Sequence, residues 1–431
     1  MKKLGVCLLN DSFPPLIDGV SNAVVNYAGI IQKNYGTSFV GTPKYPKVED
    51  DYPFDVIRYP SIDVTKLTGY RAGYPFSISA INKMTKHKFD IIHSHCPMAS
   101  TYLARTLREY TDKPIVFTYH TKFDIDIKKA IDSPTLQNAA MKLIINNIEA
   151  CDDVWVVSKG AGENLRSNGF RGSYTVMENG VDFPKGRVSA EKSAALLKEY
   201  GIPESMPVFL FVGRMMWYKG IKTSIDGLCI AKQKGEKFKM IFVGDGVDRK
   251  EIEEYAKKAG LYEDCIFAGA IGDREILRTY FCISDLFLFP STFDTNGIVV
   301  REAAACSLAS VIVKNSCAAE GLSDMENGLL IEDNAESMAE KIIFACHNRQ
   351  AVRKIGENAA DEIYISWDSA VKKACERYNA VIERHERKKT IYNKKDAELF
   401  SFVADISEKM QSVHSTVDSL KNEIREKFKF M

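Results

Sequence analysis

Short apolar runs alternate with helix-length segments along most of the 431-residue chain. Each run is apolar at consecutive positions, so both faces of the resulting strand are expected to be covered, as in a parallel sheet between two layers of helices. Repeated units of this kind predict an α/β protein with doubly wound sheets. The predicted strands are 5–9, 38–40, 56–58, 91–94, 115–118, 153–157, 174–177, 208–212, 240–243, 265–268, 286–289 and 310–313.

The series of units is interrupted once, and this interruption divides the chain. After a charged helical stretch at 189–200, Pro203 and Pro207 introduce a fresh strand. The sequence therefore predicts two Rossmann-like domains, residues 1–185 and 186–365, followed by a helical segment, 366–392. Ligands bind beyond the carboxyl ends of the strands in open parallel sheets, so two such domains are expected to share one site in the cleft between them.

Residues 393–431 differ from the rest of the chain because they contain no glycine or proline. Apolar residues recur there at alternating steps of four and three, which is the seam of a heptad repeat. The pattern favours a coiled-coil tail that joins two copies of the chain as a homodimer, and an amphipathic helix packed on its own domain is the alternative. The seam consists of Leu399, Val403, Ile406, Met410, Val413, Val417, Leu420 and Ile424.

Composition argues against several classes of function. The 58 Lys and Arg nearly balance the 57 Asp and Glu, so a nucleic-acid-binding protein with a global basic field is not expected. No apolar run approaches the roughly 18–20 residues that a membrane-spanning helix needs. The ten cysteines form no C-x-x-C pair, which favours buried reduced thiols in a cytoplasmic protein without structural zinc or disulfides.

Candidate ligand-binding residues of the first domain follow its predicted strands. Gly19 stands in a loop just before a helix, where free N–H groups and the helix dipole can hold an anion; a simple N-cap and turn is the alternative. His93 and His95 bracket a strand end, but a metal site there lacks an acidic partner nearby in the sequence. His120 follows the next strand, at the edge of the sheet where ligands bind.

The second domain carries two cations and two acids in comparable positions. Arg214 and Lys219 follow its first strand, and a guanidinium together with an ammonium can hold a diphosphate. The segment 289–305 is a polar loop that leads into an alanine-rich helix, with Asp294 in the loop and Glu302 on the helix. The start of that helix can hold a phosphate between the two acids, which suits a nucleotide sugar. Solvated surface charges and a capping acid are the alternatives.

Several short motifs stand in a fixed order at these strand ends. They are the Gly19 loop, Ile91-Ile92-His93-Ser94-His95, Thr118-Tyr119-His120, Asn179-Gly180-Val181-Asp182, Gly213-Arg214 with Lys219-Gly220, Gly244-Asp245-Gly246, and Asn327-Gly328-Leu329-Leu330. Together with Asp294 and Glu302, which are separated by seven residues, they resemble the motifs of the family 4 retaining glycosyltransferases of GT-B fold. The resemblance covers roughly residues 1–385 and implies that the helical segment 366–392 crosses back to the first domain. The chain departs from the family pattern at Asp294, where the family has Glu.

This resemblance implies a retaining hexosyltransferase of GT-B fold that uses a nucleotide sugar, with a UDP-sugar as the expected donor and no metal or other cofactor. Gly19 would lie against the donor diphosphate, and Arg214 and Lys219 would neutralise it as the leaving group departs. Glu302 would bind the ribose, and His120 would lie beside the transferred sugar. The sugar hydroxyls and phosphate would be held by Asp294 and by the backbone at Asn296, Gly297 and Ile298.

The loops around Gly19 and His120 are most similar to the branch that glucosylates diacylglycerol. This implies a lipid or glycan acceptor and peripheral contact with the inner face of the membrane. Residues 76–89 are the candidate contact, because lysines accompany apolar residues such as Ile81 and Met84 there; a solvated amphipathic helix is the alternative. Two further functions stay open: a non-catalytic partner protein that assembles through its tail, and a sugar-nucleotide epimerase or phosphorylase on the same fold.

Overall fold

A seven-stranded sheet and a six-stranded sheet, both parallel, organise the protein. A computed structural model describes residues 3–16, 18–65 and 70–387. The predicted coiled-coil tail, 393–431, lies outside these residues, and so does the predicted dimer contact. Within the described part of the chain, the two sheets confirm the predicted α/β fold class.

The first half of the chain contains short strands whose residues are mostly buried. They are β1 (Leu4–Leu9), β2 (Gly36–Pro43), β3 (Asp55–Tyr59), β4 (Ser61–Asp63), β5 (Arg71–Gly73), β6 (Ile91–Ser94), β7 (Ile115–Tyr119), β8 (Asp153–Val156) and β9 (Thr175–Val176). The parallel sheet has the order β3-β2-β1-β6-β7-β8-β9, while β4 and β5 form a separate antiparallel pair. All six residues of β1 are buried, because helices cover both faces of this central strand.

Helices follow most strands of the first sheet. They are α1 (Gly19–Ile30), which continues into a π-helical turn (Ile31–Tyr35), α2 (Ile78–Met84), α3 (Ala99–Thr111), α4 (Phe123–Ala130), α5 (Pro134–Glu149) and α6 (Lys159–Ser167). Asp18 caps α1, since its Oδ1 accepts the N–H groups of Val20 at 2.9 Å and Ser21 at 2.7 Å. The cap fixes the loop between β1 and α1 at the carboxyl edge of the sheet.

The second sheet is built in the same way. Its strands are β10 (Val208–Val212), β11 (Lys239–Val243), β12 (Cys265–Gly269), β13 (Leu286–Leu288), β14 (Ser310–Val313) and β15 (Leu329–Ile331), in the order β12-β11-β10-β13-β14-β15. Its helices are α7 (Ala190–Glu199), α8 (Ile221–Gln233), α9 (Arg249–Lys258), α10 (Arg274–Ile283), α11 (Ile298–Ala305), α12 (Ala335–His347) and α13 (Arg349–Glu362). Strands β4, β5 and β15 were not predicted.

The helix α14 (Trp367–Arg387) returns to the first sheet. Tyr378 stacks on Trp155 of β8 with ring centroids 5.1 Å apart. Asp153, in the same strand, accepts hydrogen bonds from Arg377 and Arg384 at 2.8 Å. The last described helix is therefore part of the core of the first sheet, although it follows the second in sequence.

Two of the apolar residues that made residues 76–89 the candidate membrane contact are buried. Ile81 and Met84 of α2 are buried in a core that includes Leu9 and Phe39, because α2 lays its apolar face on the first sheet. Ile81 and Met84 are thus used inside the protein, whereas Ile78 of α2 is 42% exposed. Across the described ranges, no helix has both the length and the apolar character needed to cross a bilayer.

Candidate active site between the two sheets

Loops that follow strands of both sheets contact one another. Thr295, beyond β13, donates its Oγ1 hydrogen to the His120 carbonyl oxygen, beyond β7, at 2.6 Å. Ser158, beyond β8, donates to the Thr295 carbonyl oxygen at 2.5 Å. An ideal Cβ placed on Gly19 would lie 3.9 Å from Ile298 Cδ1. The predicted residues Gly19, His120 and Ile298 therefore border one cleft, as the topology required.

The loop between β13 and α11 spans this cleft. Asn296 is buried and donates its Nδ2 hydrogen to the Val157 carbonyl oxygen at 2.5 Å. Gly297 precedes α11 with φ +60°, and an ideal Cβ there would lie 2.9 Å from Ala318 Cβ. Glycine meets both the left-handed backbone and the close approach at this position. The first sheet thus holds the loop that carries the predicted donor residues.

Lys219 and Asp294 form an ion pair at the carboxyl end of β10. The distance between Lys219 Nζ and Asp294 Oδ1 is 2.6 Å, and both side chains are largely buried. Asp294 Oδ2 accepts the Ser291 hydroxyl at 2.5 Å. Gly220, next to Lys219, lets the backbone pass close to Pro290, in the loop that carries Asp294. Its φ is +75°, and a Cβ there would clash with the Pro290 carbonyl oxygen. The sequence predicted both charged residues for the site but not their direct contact.

Arg214 is exposed at the same strand end. Burial raises the pKa of Tyr70 to about 12, the Asp18 charge adds to this, and the Arg214 charge opposes it. Arg214 therefore lies close enough to act on a residue of the opposite domain. No sequence signal marked Tyr70, because it belongs to the segment between β4 and β5, outside the repeated β-α pattern.

Glu302 is buried on α11 rather than solvated. Burial raises the pKa of this carboxyl group, while Arg274 opposes the shift and Asp182 adds to it. The Arg274 guanidinium contacts Glu302 directly, lies 3.7 Å from Asp182 Oδ2 and covers the ring of Phe183 at 4.4 Å. Arg274 was missed in the sequence because an arginine in the first turn of a helix is an ordinary surface residue.

Three histidines cluster at the carboxyl ends of β6 and β7, with His93 inside β6 and His95 and His120 just beyond the two strands. His93 uses both ring nitrogens, with Tyr378 Oη 2.5 Å from Nδ1 and Thr118 Oγ1 2.7 Å from Nε2. His95 Nδ1 lies 2.9 Å from His120 Nε2. Burial lowers the pKa of His120 to about 3 and takes the pKa of His95 well below its usual range. Both imidazoles are therefore neutral near pH 7.

Further contacts hold the two sheets together beside the cleft. Glu320 accepts the N–H groups of Lys159 at 2.7 Å and Gly160 at 2.6 Å, at the start of α6. Arg301 of α11 contacts Glu178 Oε1 at 2.6 Å. In residues 3–16, 18–65 and 70–387, no group of three or more His, Cys, Asp and Glu side chains is arranged to hold a metal ion.

Two Rossmann-like domains that face each other across such a cleft are the architecture of the GT-B class of transferases. A family model described as glycosyl transferases group 1 matches residues 193–362, and one described as glycosyltransferase family 4 matches residues 17–184. Among solved structures, Anabaena HepE in complex with UDP aligns with a TM-score of 0.70 at 19% identity, covering 88% of this chain and 100% of that one.

Two curated relatives match over nearly their whole length. The alpha-monoglucosyldiacylglycerol synthase of Acholeplasma laidlawii is 26% identical over 396 residues, covering 88% of this chain and 98% of the relative. A GDP-mannose-dependent alpha-mannosyltransferase of Corynebacterium glutamicum is 23% identical, covering 90% of this chain and 91% of the relative. The chain thus belongs to the family 4 glycosyltransferases of GT-B fold, near the diacylglycerol glucosyltransferase branch, and is a hexosyltransferase.

Proposed function

We propose that this protein transfers a hexose from a nucleotide sugar to a hydroxyl group of a lipid acceptor, with retention of configuration at the anomeric carbon. The observation that carries the proposal is the Lys219–Asp294 pair, at the end of β10 and next to a loop that both sheets hold. It puts a fixed cation and a carboxylate where a diphosphate and a sugar can be bound side by side.

The diphosphate is assigned to the mouth of the cleft. An ammonium group has three donors, so Lys219 can bind a phosphate oxygen while it keeps its contact with Asp294. Arg214 is exposed at the same strand end and adds a second positive charge. On the opposite side, Gly19 is the first residue of α1 and offers backbone close to the ligand. These groups would stabilise the negative charge that develops on the leaving nucleotide.

The remaining parts of the donor are assigned to α11 and its loop. Glu302 would accept hydrogen bonds from the ribose hydroxyls. Asp294 would bind hydroxyls of the transferred sugar, and its shorter side chain sets the carboxylate back by about 1.5 Å relative to Glu. The backbone of Asn296, Gly297 and Ile298 would hold phosphate at the start of the helix. His120 would lie beside the sugar.

The nucleotide and the metal requirement belong to the same proposal. A UDP-sugar is our first choice of donor, and the UDP complex of HepE supports it, whereas the mannosyltransferase relative supports GDP-mannose. We expect transfer without a divalent ion, because Arg214 and Lys219 supply the positive charge that a metal would otherwise place on the diphosphate.

A lipid acceptor is supported by the Acholeplasma laidlawii relative, whose name specifies a glucosylated diacylglycerol.

Leu136 and Leu143 of α5 are one heptad apart and 59% and 60% exposed, with the exposed Lys142 beside them. We assign the peripheral membrane contact to this face of α5. Replacing both leucines with serine should weaken binding to vesicles that contain anionic lipid, whereas Tyr262→Ser, at another exposed apolar residue, should not. Equal vesicle binding by the wild type, the variant with both leucines replaced and Tyr262→Ser would refute the assignment.

The function is tested with a panel of UDP- and GDP-sugars. Each is first assayed for a rise in melting temperature, since a ligand that binds the folded state stabilises it. Sugars that bind are then assayed for transfer to diacylglycerol and to monoglucosyldiacylglycerol, with and without EDTA. Binding and transfer of one sugar support the proposal. If no nucleotide sugar binds and none is hydrolysed, while the chain captures a partner through its tail, the non-catalytic interpretation replaces it.

A further inference from the structure

We infer that His95 is a positioning residue that holds His120 in the tautomer with its proton on Nδ1, so that His120 presents an N–H donor to the bound sugar. The bond between His95 Nδ1 and His120 Nε2, 2.9 Å long, carries this inference. The part that concerns the sugar rests on the function proposed above.

The imidazoles of His95 and His120 are both buried and contact each other directly. Their ring planes are nearly parallel, at 22°, and their centroids are 5.2 Å apart, which fits two imidazoles that meet edge to edge through the hydrogen bond. His95 is 2% exposed and packs against His93, at a centroid distance of 3.9 Å, and against Tyr27, at 5.6 Å. His120 is the member of the pair that borders the cleft, because its carbonyl oxygen accepts the hydrogen bond from Thr295 of the second domain.

One proton must lie between the two nitrogens. Because both rings are neutral, each carries one N–H, and the contact needs one donor and one acceptor. Either His95 Nδ1–H donates to His120 Nε2, or His120 Nε2–H donates to His95 Nδ1. In the second arrangement, His95 would have to carry its own proton on Nε2.

The surroundings of His95 Nε2 decide between these arrangements. This atom is buried, and among the described residues it has no hydrogen-bond partner. Buried N–H groups without a partner are rarer in proteins than acceptors without one. The favoured arrangement therefore leaves Nε2 of His95 as an unprotonated acceptor and places its proton on Nδ1. His120 then accepts at Nε2 and carries its proton on Nδ1.

His93 does not compete for this proton. Both of its nitrogens are occupied by hydroxyl groups, those of Tyr378 and Thr118, and a hydroxyl can donate or accept. The tautomer of His120 is thus set by His95 and, through it, by the lack of a hydrogen-bond partner for His95 Nε2 among the described residues. A hydroxyl oxygen of the transferred sugar is the acceptor that the remaining Nδ1–H of His120 would bind.

The tautomers can be measured without any substrate. Protein labelled with nitrogen-15 in histidine is examined by long-range proton–nitrogen NMR, with signals assigned from single His93, His95 and His120 variants. We expect His95 and His120 to carry their protons on Nδ1 in the wild type. In His95→Leu, His120 should shift toward the Nε2–H form, whereas His95→Asn, which keeps a donor near the Nδ1 position, should retain the Nδ1–H form. A proton on His95 Nε2 in the wild type would overturn the inference.

A second measurement separates positioning from damage to the fold. Affinities for UDP alone and UDP-glucose, or for GDP and GDP-mannose if that donor is the active one, are compared between proteins. His95→Leu should weaken the affinity for the sugar nucleotide by about tenfold, which is the scale of one neutral hydrogen bond. The affinity for the nucleotide without its sugar should stay unchanged. Tyr378→Phe, which removes a bond of His93 in the same cluster, should change neither affinity. Equal losses for both ligands in His95→Leu would mean a structural role only. If the wild type binds no nucleotide, the proposed function fails, and the NMR result still decides the tautomer.

Discussion

Replacing Lys219 with alanine tests the assignment of the diphosphate most directly. The Lys219 ammonium is 2.6 Å from Asp294 Oδ1, and its side chain is 10% exposed, so the charge is fixed before the donor binds. Removing one preorganised charge contact to a developing negative charge costs about 100-fold to 1000-fold in kcat, or about 2.7–4 kcal/mol. We therefore expect Lys219→Ala to lower turnover by at least about 100-fold.

The same change should affect folding much less than catalysis. Losing one partner of a fully buried ion pair costs about 3–5 kcal/mol. Asp294 is partly exposed and keeps its hydrogen bond from Ser291, so we expect about 1–2 kcal/mol here. Urea unfolding of Lys219→Ala measures this term, and its folded fraction at the assay temperature corrects the kinetic result.

Lys222→Ala is the matched control. Lys222 lies one turn away in α8, is exposed, and pairs with Asp226 on the surface at 2.6 Å. Its loss should leave turnover unchanged, because a solvated ion pair contributes little and does not face the cleft. Wild-type turnover in a folded Lys219→Ala protein would refute the assignment. An equal loss in both variants would mean that net charge, and not the site, controls the rate.

Three further predictions follow from the geometry. Arg274 opposes the rise in the pKa of Glu302. Arg274→Gln should therefore raise that pKa and move the acidic limb of the pH profile of kcat/KM to higher pH. An acidic limb at the same pH would contradict an effect of Arg274 on Glu302. Burial alone would raise the pKa of Asp153. The hydrogen bonds that it accepts, with the one from Arg377 as the largest contribution, lower this pKa below its ordinary value of 3.8. Asp153 thus contributes stability above that pH and loses it as the pH falls through the lowered pKa. Asp153→Asn should lower the free energy of unfolding at pH 7, measured in urea, by about 1–3 kcal/mol. The difference between the variant and the wild type should become smaller in acid. A difference that does not change with pH would show that the Asp153 carboxylate is not its cause. A deletion after Lys389 should convert the predicted dimer to a monomer by light scattering, and an unchanged mass would place the dimer contact elsewhere or exclude it.

The sequence determined the two sheets and the edge at which polar residues gather. Buried strands such as Val208–Val212 are apolar at every position, and this local pattern depends only on what covers the two faces of the strand. The strand ends then located Lys219 and Asp294 in loops that face a cleft. The strand Leu329–Ile331, at the edge of the second sheet, was not predicted.

Only the tertiary structure decided which of these residues meet. The contacts of His95 with His120, of Arg274 with Glu302 and of Thr295 with the His120 carbonyl join separate strands or helices, and the last of them joins the two halves of the chain. It also decided that Ile81 and Met84 of α2 are buried in the core of the first domain. Periodicity along a chain reports whether a side chain faces a core, but it does not specify its neighbour. Neighbours are fixed by how helices and sheets pack, which depends on residues far apart in the sequence.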